Sequence, residues 1–287
     1  MLVLVALYLL FSWFHTLAST LAWALGVSEL YIWATYFAAS YACESRLHTH
    51  RPDWRGGWLA AFVGRVLQRT AFANPGRLET LDRRQYIFAC YPHGIAPLHL
   101  IFGFAAHGGQ PGLPPELAAR TLVVAHWIFK GVPLLRNLYA AFGVIGSDRA
   151  SVKWALDAGY SLAIAPGGLA AKSDSLLERR DDDRVYVHTS RNRLGIYEYA
   201  NRYGCPIVPI FSPHEDDTYL RLFTRLRCAP LVLVLGRWLV FQRRDELRWT
   251  VGRPVSPRET REATARAVCR ELEENAAPHR IVWVCEE

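Results

Sequence analysis

An α/β fold is what this sequence predicts: a sheet flanked by helices, behind an N-terminal apolar helical hairpin. Three observations carry that reading. Short apolar runs rich in branched and aromatic residues alternate with helical stretches from residue 86 onward. The first 43 residues hold a single formal charge, Glu29. One apolar run, Tyr86–Cys90, is halted at Pro92, which cannot continue a central strand, and this sets His93 beside Gly94 at a strand's carboxyl end. Open α/β sheets bind ligands at that end.

The hairpin comes first. Met1 to Leu25 is almost wholly apolar, with His15 its only side chain that can carry a charge, and at ~1.5 Å per residue it is long enough for a ~30 Å hydrocarbon core. Gly26-Val-Ser-Glu29 breaks the run, and Leu30–Cys43 resumes it over a stretch short for a full span. Residues 1–43 are therefore expected to form a membrane-embedded hairpin anchor, with 44–287 as the domain that follows. Arg46, His48, His50, Arg51 and Arg55 come directly after it, a positive cluster that places the domain on the cytosolic side. A cleaved signal peptide ending near Ala18-Ser-Thr is the competing reading. It lacks the positive region that normally precedes the apolar core.

In the remainder, Trp58–Gln68 reads as a helix closing before Asn74-Pro-Gly76. Tyr86–Cys90 reads as a strand, Leu98–Ala106 as a helix and Gly108–Pro115 as a Gly/Pro-rich loop. Strands follow at Thr121–Ala125, Val144–Gly146, Ser161–Ala165 and Ile207–Phe211, separated by helices at Leu134–Phe142, Ser151–Ala158 and Arg193–Tyr203. Residues 177–184 are a charged surface loop. Leu231–Leu235 and Arg248–Val251 are later strand candidates, and Pro257–Asn275 reads as a solvated charged helix.

Composition narrows the function. The chain has 287 residues, 33 Lys+Arg and 26 Asp+Glu. Nearly all the charge lies beyond the hairpin, and only three of the bases are lysines (Lys130, Lys153, Lys172). An arginine-rich domain tied to an apolar leader suits an anionic membrane face or a phosphorylated substrate. Nucleic acid is the rival partner, but no zinc-finger spacing, RNP-like motif or heptad-linked basic helix supports it. The six cysteines are scattered with no CxxC pair and no metal-ligand spacing. Cys90 and Cys205 sit in or beside apolar runs as small core residues. A serine-hydrolase elbow, Gly-x-Ser-x-Gly, is absent.

His93 is the candidate general base, since an imidazole titrates near working pH. Taken alone, a strand-end histidine is more readily a structural one bonded to a backbone carbonyl. The surrounding stretch, Tyr86-Ile-Phe-Ala-Cys-Tyr-Pro-His-Gly-Ile, resembles the diacylglycerol acyltransferase type 2 family, whose pattern is tyrosine, apolar residues, then His-Pro-His-Gly. Tyr91 stands here in place of the first histidine. Further blocks follow in collinear order across residues 85–255. They are Gly143-Val-Ile-Gly-Ser-Asp-Arg149, Ala165-Pro-Gly-Gly168-Leu-Ala, Asn192-Arg193-Leu-Gly195-Ile, Pro206-Ile-Val-Pro209-Ile-Phe-Ser with Glu215, and Trp249-Thr-Val-Gly252-Arg-Pro254. Ala171 and Lys172 depart from the family's Glu after Gly-Gly-Ala-Ala. Leu98 stands where the broader acyltransferase group has Asp.

The resemblance implies a mixed sheet of the glycerolipid acyltransferase kind and an acyl-CoA-dependent O-acyltransferase making triacylglycerol from diacylglycerol. Lysophospholipid, glycerol-phosphate, monoacylglycerol or wax-alcohol acceptors are the alternatives, as is an inactive lipid-binding scaffold. It makes His93 and Gly94 catalytic, with backbone N–H groups at Gly94 or at Gly167-Gly168 serving the oxyanion. A turn after a strand is the plainer reading of the glycine pair. Pro92, Arg149, Gly167, Gly168, Arg193 and Glu215 become substrate-binding candidates. Arg149 is equally a surface ion-pair partner of Asp148 or of a neighbour, and a solvated loop residue is the plainer reading of Glu215. The implied partners are acyl-CoA as co-substrate, diacylglycerol or a related neutral lipid, and membrane lipids, with no metal, no cofactor and no nucleic acid. A homo-oligomer is compatible with all of this. The implied location is the endoplasmic reticulum membrane or the lipid droplet, with the domain facing the cytosol.

Overall fold

The computed structural model describes residues 16, 18–42, 69–82, 84–91, 100, 104, 114–125, 140, 142–166, 184–190, 194–212, 246–276 and 280–286. Its centre is a seven-stranded sheet in the order β1-β8-β7-β2-β5-β3-β4. These are β1 (Arg69–Phe72), β2 (Ile87–Tyr91), β3 (Thr121–Ala125), β4 (Val144–Gly146), β5 (Ser161–Ile164), β7 (Ile207–Phe211) and β8 (Glu246–Val251). Five strands, β7, β2, β5, β3 and β4, run in one direction. β8 is antiparallel to β7 and carries β1 parallel beside it, so the sheet is mixed. β6 (Arg184–Ser190) and β9 (Arg280–Glu286) form a separate parallel pair.

Strand β2 is buried along its whole length. Its side chains alternate between two apolar clusters, Phe88 and Cys90 on one face, Ile87, Ala89 and Tyr91 on the other. A strand covered on both faces reads as an unbroken apolar run, which is why Ile-Phe-Ala-Cys-Tyr is legible from sequence. On the first face Leu100 and Phe104 join the cluster, with the Phe88 and Phe104 rings 4.9 Å apart. The opposite face is covered by α4 (Arg149–Asp157), α5 (Gly195–Tyr203) and α6 (Arg261–Asn275). The remaining helices are α1 (Glu29–Ala42), α2 (Gly76–Glu79) and α3 (Pro115–Ala119).

Several sequence expectations need correction. β1 and β9 are not among the elements the sequence predicts: Arg-Thr-Ala-Phe is too short and polar to signal a strand, and it is held by its parallel register on β8. α3 lies at the end of what reads as a Gly/Pro loop, because Pro115 is tolerated in a first helical turn. The charged helix starts at Arg261 rather than near Pro257, with the Thr260 side chain capping the Ala263 N–H at 3.1 Å. Nor is it merely solvated. Thr264, Ala267, Val268, Glu271 and Leu272, at spacings of three, four, seven and eight, are buried against β7 and α5. Arg184, placed at the end of a loop, opens β6. The expected elements at 58–68, 134–139 and 231–235 lie outside the described residues.

At the N-terminus, residues 18–25 are helical, Gly26 turns at φ 63°, and α1 begins at Glu29. The break falls where the sequence puts it. No helix among the described residues is long and apolar enough to cross a membrane.

The late glycine block has a packing reason. A Cβ on Gly252 would stand 2.7 Å from Pro209 Cγ and 3.1 Å from the Pro209 carbonyl oxygen and from Glu271 Cγ. Gly252 N–H donates to that same carbonyl at 2.7 Å. Beside it, the buried Glu271 carboxylate accepts the Arg253 N–H at 2.6 Å and the Asn275 amide at 2.7 Å. Gly252→Ala is expected to destabilise the fold by about 1–3 kcal/mol, the range for overpacking a filled site. Denaturant unfolding checks this, and an unchanged midpoint would show that the β7–β8–α6 junction gives way freely.

Candidate active site

Because β7, β2, β5, β3 and β4 are parallel, their carboxyl ends lie along one edge of the sheet. Four of the sequence blocks follow those ends directly. Pro92, His93 and Gly94 follow Tyr91 of β2. Gly167 and Gly168 follow Ile164 of β5 by three and four residues. Arg149 follows Gly146 of β4 by three, and Glu215 follows Phe211 of β7 by four. The topology thus brings to one edge segments that are well separated along the chain. Of the candidate residues only Arg149 is itself described. Pro92, His93, Gly94, Gly167, Gly168, Arg193 and Glu215 lie outside the described residues, so the edge is defined by the strands that deliver them.

Arg149 is the first residue of α4 and is exposed. The ion pair expected with Asp148 is replaced by a cap: the Asp148 carboxylate accepts the Ser151 N–H at 2.9 Å and the Ser151 hydroxyl at 2.8 Å. The guanidinium itself is without a partner among the described residues. β4 is three strands from β2, which at strand spacing is about 14 Å. Arg149 therefore belongs to the far end of the edge from His93.

At the near end the structure gives a place to residues to which the sequence reading assigns no role. Tyr91, the last residue of β2, and Tyr197, in the first turn of α5, place their hydroxyls 2.8 Å apart in the core. Burial pushes the Tyr91 phenol well above its ordinary value, with Tyr197 adding to the effect. Burial also pushes Tyr197 up, with the Cys269 thiol of α6 contributing. The pair ties the end of the central strand to the helix that follows the Asn192-Arg193 block. Cys90, directly before it, is raised by burial and is an inert core thiol. The second addition is Ser212, fully buried, whose N–H donates to the Tyr91 carbonyl at 2.7 Å. The signal that singles out His93, a polar residue just past a buried strand, applies equally to Ser212.

The opposite edge differs. An open groove there is lined by Arg253, Arg258, Arg270, Glu271 and Glu274. It lies at the amino end of β7, where the Ile207 N–H donates to Val255 O at 2.9 Å. Arg253 is occupied by Glu271 at 3.1 Å. Among the described residues no cluster of His, Cys, Asp and Glu suits a metal ion.

An α/β sheet whose parallel strands end along one carboxyl edge is the architecture in which ligand sites lie at that edge. Residues 74–226 match the family model for diacylglycerol acyltransferase, and the chain belongs to that family. It is 27% identical over 218 residues to the mouse diacylglycerol O-acyltransferase 2-like protein 6, covering 71% of this chain and 58% of that one. With human diacylglycerol O-acyltransferase 2 it shares 31% identity over 147 residues, 48% of this chain and 35% of the other. With the 2B enzyme of Umbelopsis ramanniana it shares 33% over 141 residues, 47% and 37%. The chain thus spans between about a third and three fifths of these relatives' lengths. The solved 1-acyl-sn-glycerophosphate acyltransferase PlsC of Thermotoga maritima superposes with a TM-score of 0.46 at 16% identity, covering 94% of this chain and 96% of that one. At that level the likeness assigns neither fold nor activity.

The tyrosine pair gives an alkaline signature. Both phenols have folded-state values above the ordinary 10.0, so the unfolded chain loses these protons first. Their stabilisation is complete below pH 10 and falls away as pH rises past it. A Tyr91→Phe, Tyr197→Phe double variant is expected to flatten the loss of melting temperature between pH 9 and 11 (about one unit either side of an ordinary tyrosine). Each single variant strands the partner hydroxyl and costs about 1–3 kcal/mol. An alkaline slope unchanged in the double variant would contradict the assignment.

Proposed function

We propose that this chain is a membrane-bound O-acyltransferase that moves an acyl group from acyl-CoA to the free hydroxyl of diacylglycerol, forming triacylglycerol. The observation that carries the reading is the family match over 74–226, because it spans every parallel strand whose carboxyl end delivers a candidate residue. The reaction needs a base, an oxyanion site and a slot for two substrates. His93 takes the proton from the acceptor hydroxyl as its oxygen attacks the thioester carbonyl carbon, a contribution of about 10²–10⁴ in rate. Backbone N–H groups at Gly94, or at Gly167 and Gly168, hold the tetrahedral oxyanion. The carbon–sulfur bond then breaks, the imidazolium returns its proton to the CoA sulfur, and ester and free CoA leave. Every atom comes from the two substrates, so no metal or cofactor is required.

Arg149 is assigned to the CoA phosphates or the acceptor head group. Its distance of about 14 Å from the end of β2 suits the polar tail of a long thioester rather than the reacting carbonyl. Arg193, just before α5, is assigned to the same polar substrate groups, and Pro92 and Glu215 to the acceptor pocket. The N-terminal segment, residues 1–43, is read as the membrane hairpin. In support, Leu21, Trp23, Leu25, Val27, Leu30 and Tyr31 all point outward around the Gly26 turn, Trp23 being 86% exposed. Such a contiguous apolar patch suits bilayer insertion. The endoplasmic reticulum membrane, with the domain on its cytosolic side, supplies both lipids.

The test uses the full chain in lipid vesicles with labelled acyl-CoA and, in parallel, diacylglycerol, monoacylglycerol, fatty alcohol or lysophospholipid. Triacylglycerol is the expected product, lost by at least about 100-fold in His93→Ala. Undiminished transfer in that variant would overturn the base, and no transfer to any acceptor would leave a lipid-binding scaffold. Arg149→Ala is expected to raise KM for acyl-CoA about tenfold with kcat nearly unchanged, the mark of lost ground-state binding. An unchanged KM would remove Arg149 from the site.

A further inference from the structure

Two arginines on the amino edge of the sheet have no acidic partner among the described residues. The groove there has a volume of about 640 Å³, and its lining holds three arginines and two glutamates. Both glutamates go to one arginine: the Arg253 guanidinium bonds Glu271 at 3.1 Å and also Glu274. Arg258 and Arg270, both exposed, line the same groove and are left over. Two uncompensated like charges in one concavity repel each other, and the concave shape concentrates their field.

The backbone that carries them is fixed. The Val255 N–H donates to the Ile207 carbonyl at 2.8 Å, and the Val255 carbonyl accepts the Ile207 N–H at 2.9 Å. Three residues on, the Arg258 N–H donates to the Thr264 hydroxyl at 2.8 Å, and the Arg258 carbonyl accepts the Asn201 amide at 3.0 Å. Thr264 is fully buried. Arg258 therefore has one backbone group tied to α6 and the other to α5. Arg270 stands on α6 itself, which is anchored through buried Ala267, Val268 and Leu272. The two charges are thus held on one groove by a frame that needs no ordering when an anion arrives, which lowers the cost of binding one.

We propose that this groove binds a phosphate monoester, with Arg258 and Arg270 sharing the phosphate. A guanidinium fork matches phosphate and carboxylate oxygens alike. Charge decides between them. A carboxylate has one negative charge and two oxygens, which a single guanidinium fills. A phosphate monoester has up to two charges and three free oxygens, enough for both arginines. Ser256 adds a hydroxyl donor to the lining, and Pro254, Val255 and Pro257 add apolar wall for the organic group that carries the phosphate. The site is independent of the reading of His93, because it uses only α6, the start of β7 and the segment between β8 and α6.

Arginine-selective modification with phenylglyoxal, mapped by mass spectrometry on the full chain in phosphatidylcholine vesicles, tests it. One arm adds inorganic phosphate, and a second replaces part of the phosphatidylcholine with phosphatidic acid. Arg258 and Arg270 are expected to be protected together. Arg266, exposed on α6 but outside the groove, should go on reacting. Protection by inorganic phosphate supports a ligand taken from solution, and protection by phosphatidic acid alone supports a lipid headgroup. In Arg258→Gln the amount of ligand that half-protects Arg270 should rise at least about tenfold, and the same holds for Arg258 in Arg270→Gln. Both side chains are exposed, so the melting temperatures of the variants should match the parent's. Three results would overturn the site: no protection in either arm, equal protection of Arg266, or an Arg270 response unchanged in Arg258→Gln.

Discussion

The structure depends on the burial of β2 on both faces and its pairing on both sides. Its five residues are fully enclosed, with β5 along one side and β7 along the other. Apolar burial of side chains such as Phe88 contributes roughly 1.5–3 kcal/mol each. The same enclosure fixes where the strand ends, at Tyr91, directly before Pro92 in the sequence. At that point the backbone is held by the Ser212 N–H, and the Tyr91 side chain by Tyr197. A rigid strand end is what a base needs if it is to meet a hydroxyl with sub-ångström tolerance.

Parallel topology turns this local constraint into a site. The crossovers start from the same edge, so strand ends far apart in the sequence come together there. β5 lies one strand from β2, and β4, which leads into Arg149, lies three. The opposite edge holds arginines as well, but Arg253 there is neutralised by Glu271 and Glu274. That arginine is a clasp between the end of β8 and α6.

Much of this is legible in the sequence, for physical reasons. The strands at Thr121–Ala125 and Ile207–Phe211 fall where apolar runs put them, because central parallel strands bury both faces, and Val144–Gly146, at the sheet's edge, falls between the turn residues that bound it. β1 is not legible, since a four-residue strand gets its stability from β8 rather than from its own composition. The charge on Arg261–Asn275 hides a stripe of Thr264, Ala267, Val268, Glu271 and Leu272 that buries one face. At the site, the strand-end logic picks out the blocks after β2 and β5, whose residues His93, Gly167 and Gly168 lie outside the described ones, and it fits Ser212 equally well. Tyr91 stands out in the sequence only as a departure from a pattern. Its bond to Tyr197, 106 residues away, is a product of tertiary packing that no local spacing encodes.

The central claim is that the carboxyl edge of the parallel strands is where acyl-CoA reacts. Photolabelling with an acyl-CoA carrying a diazirine near the thioester, in vesicles, followed by peptide mapping, tests it most directly. Labels are expected on the segments 92–99 and 165–168, after β2 and β5, and should disappear when unlabelled acyl-CoA competes. Competable labelling at the amino edge instead, at Gly159–Tyr160, Cys205–Pro206 or the Arg253–Arg258 groove, would contradict the account.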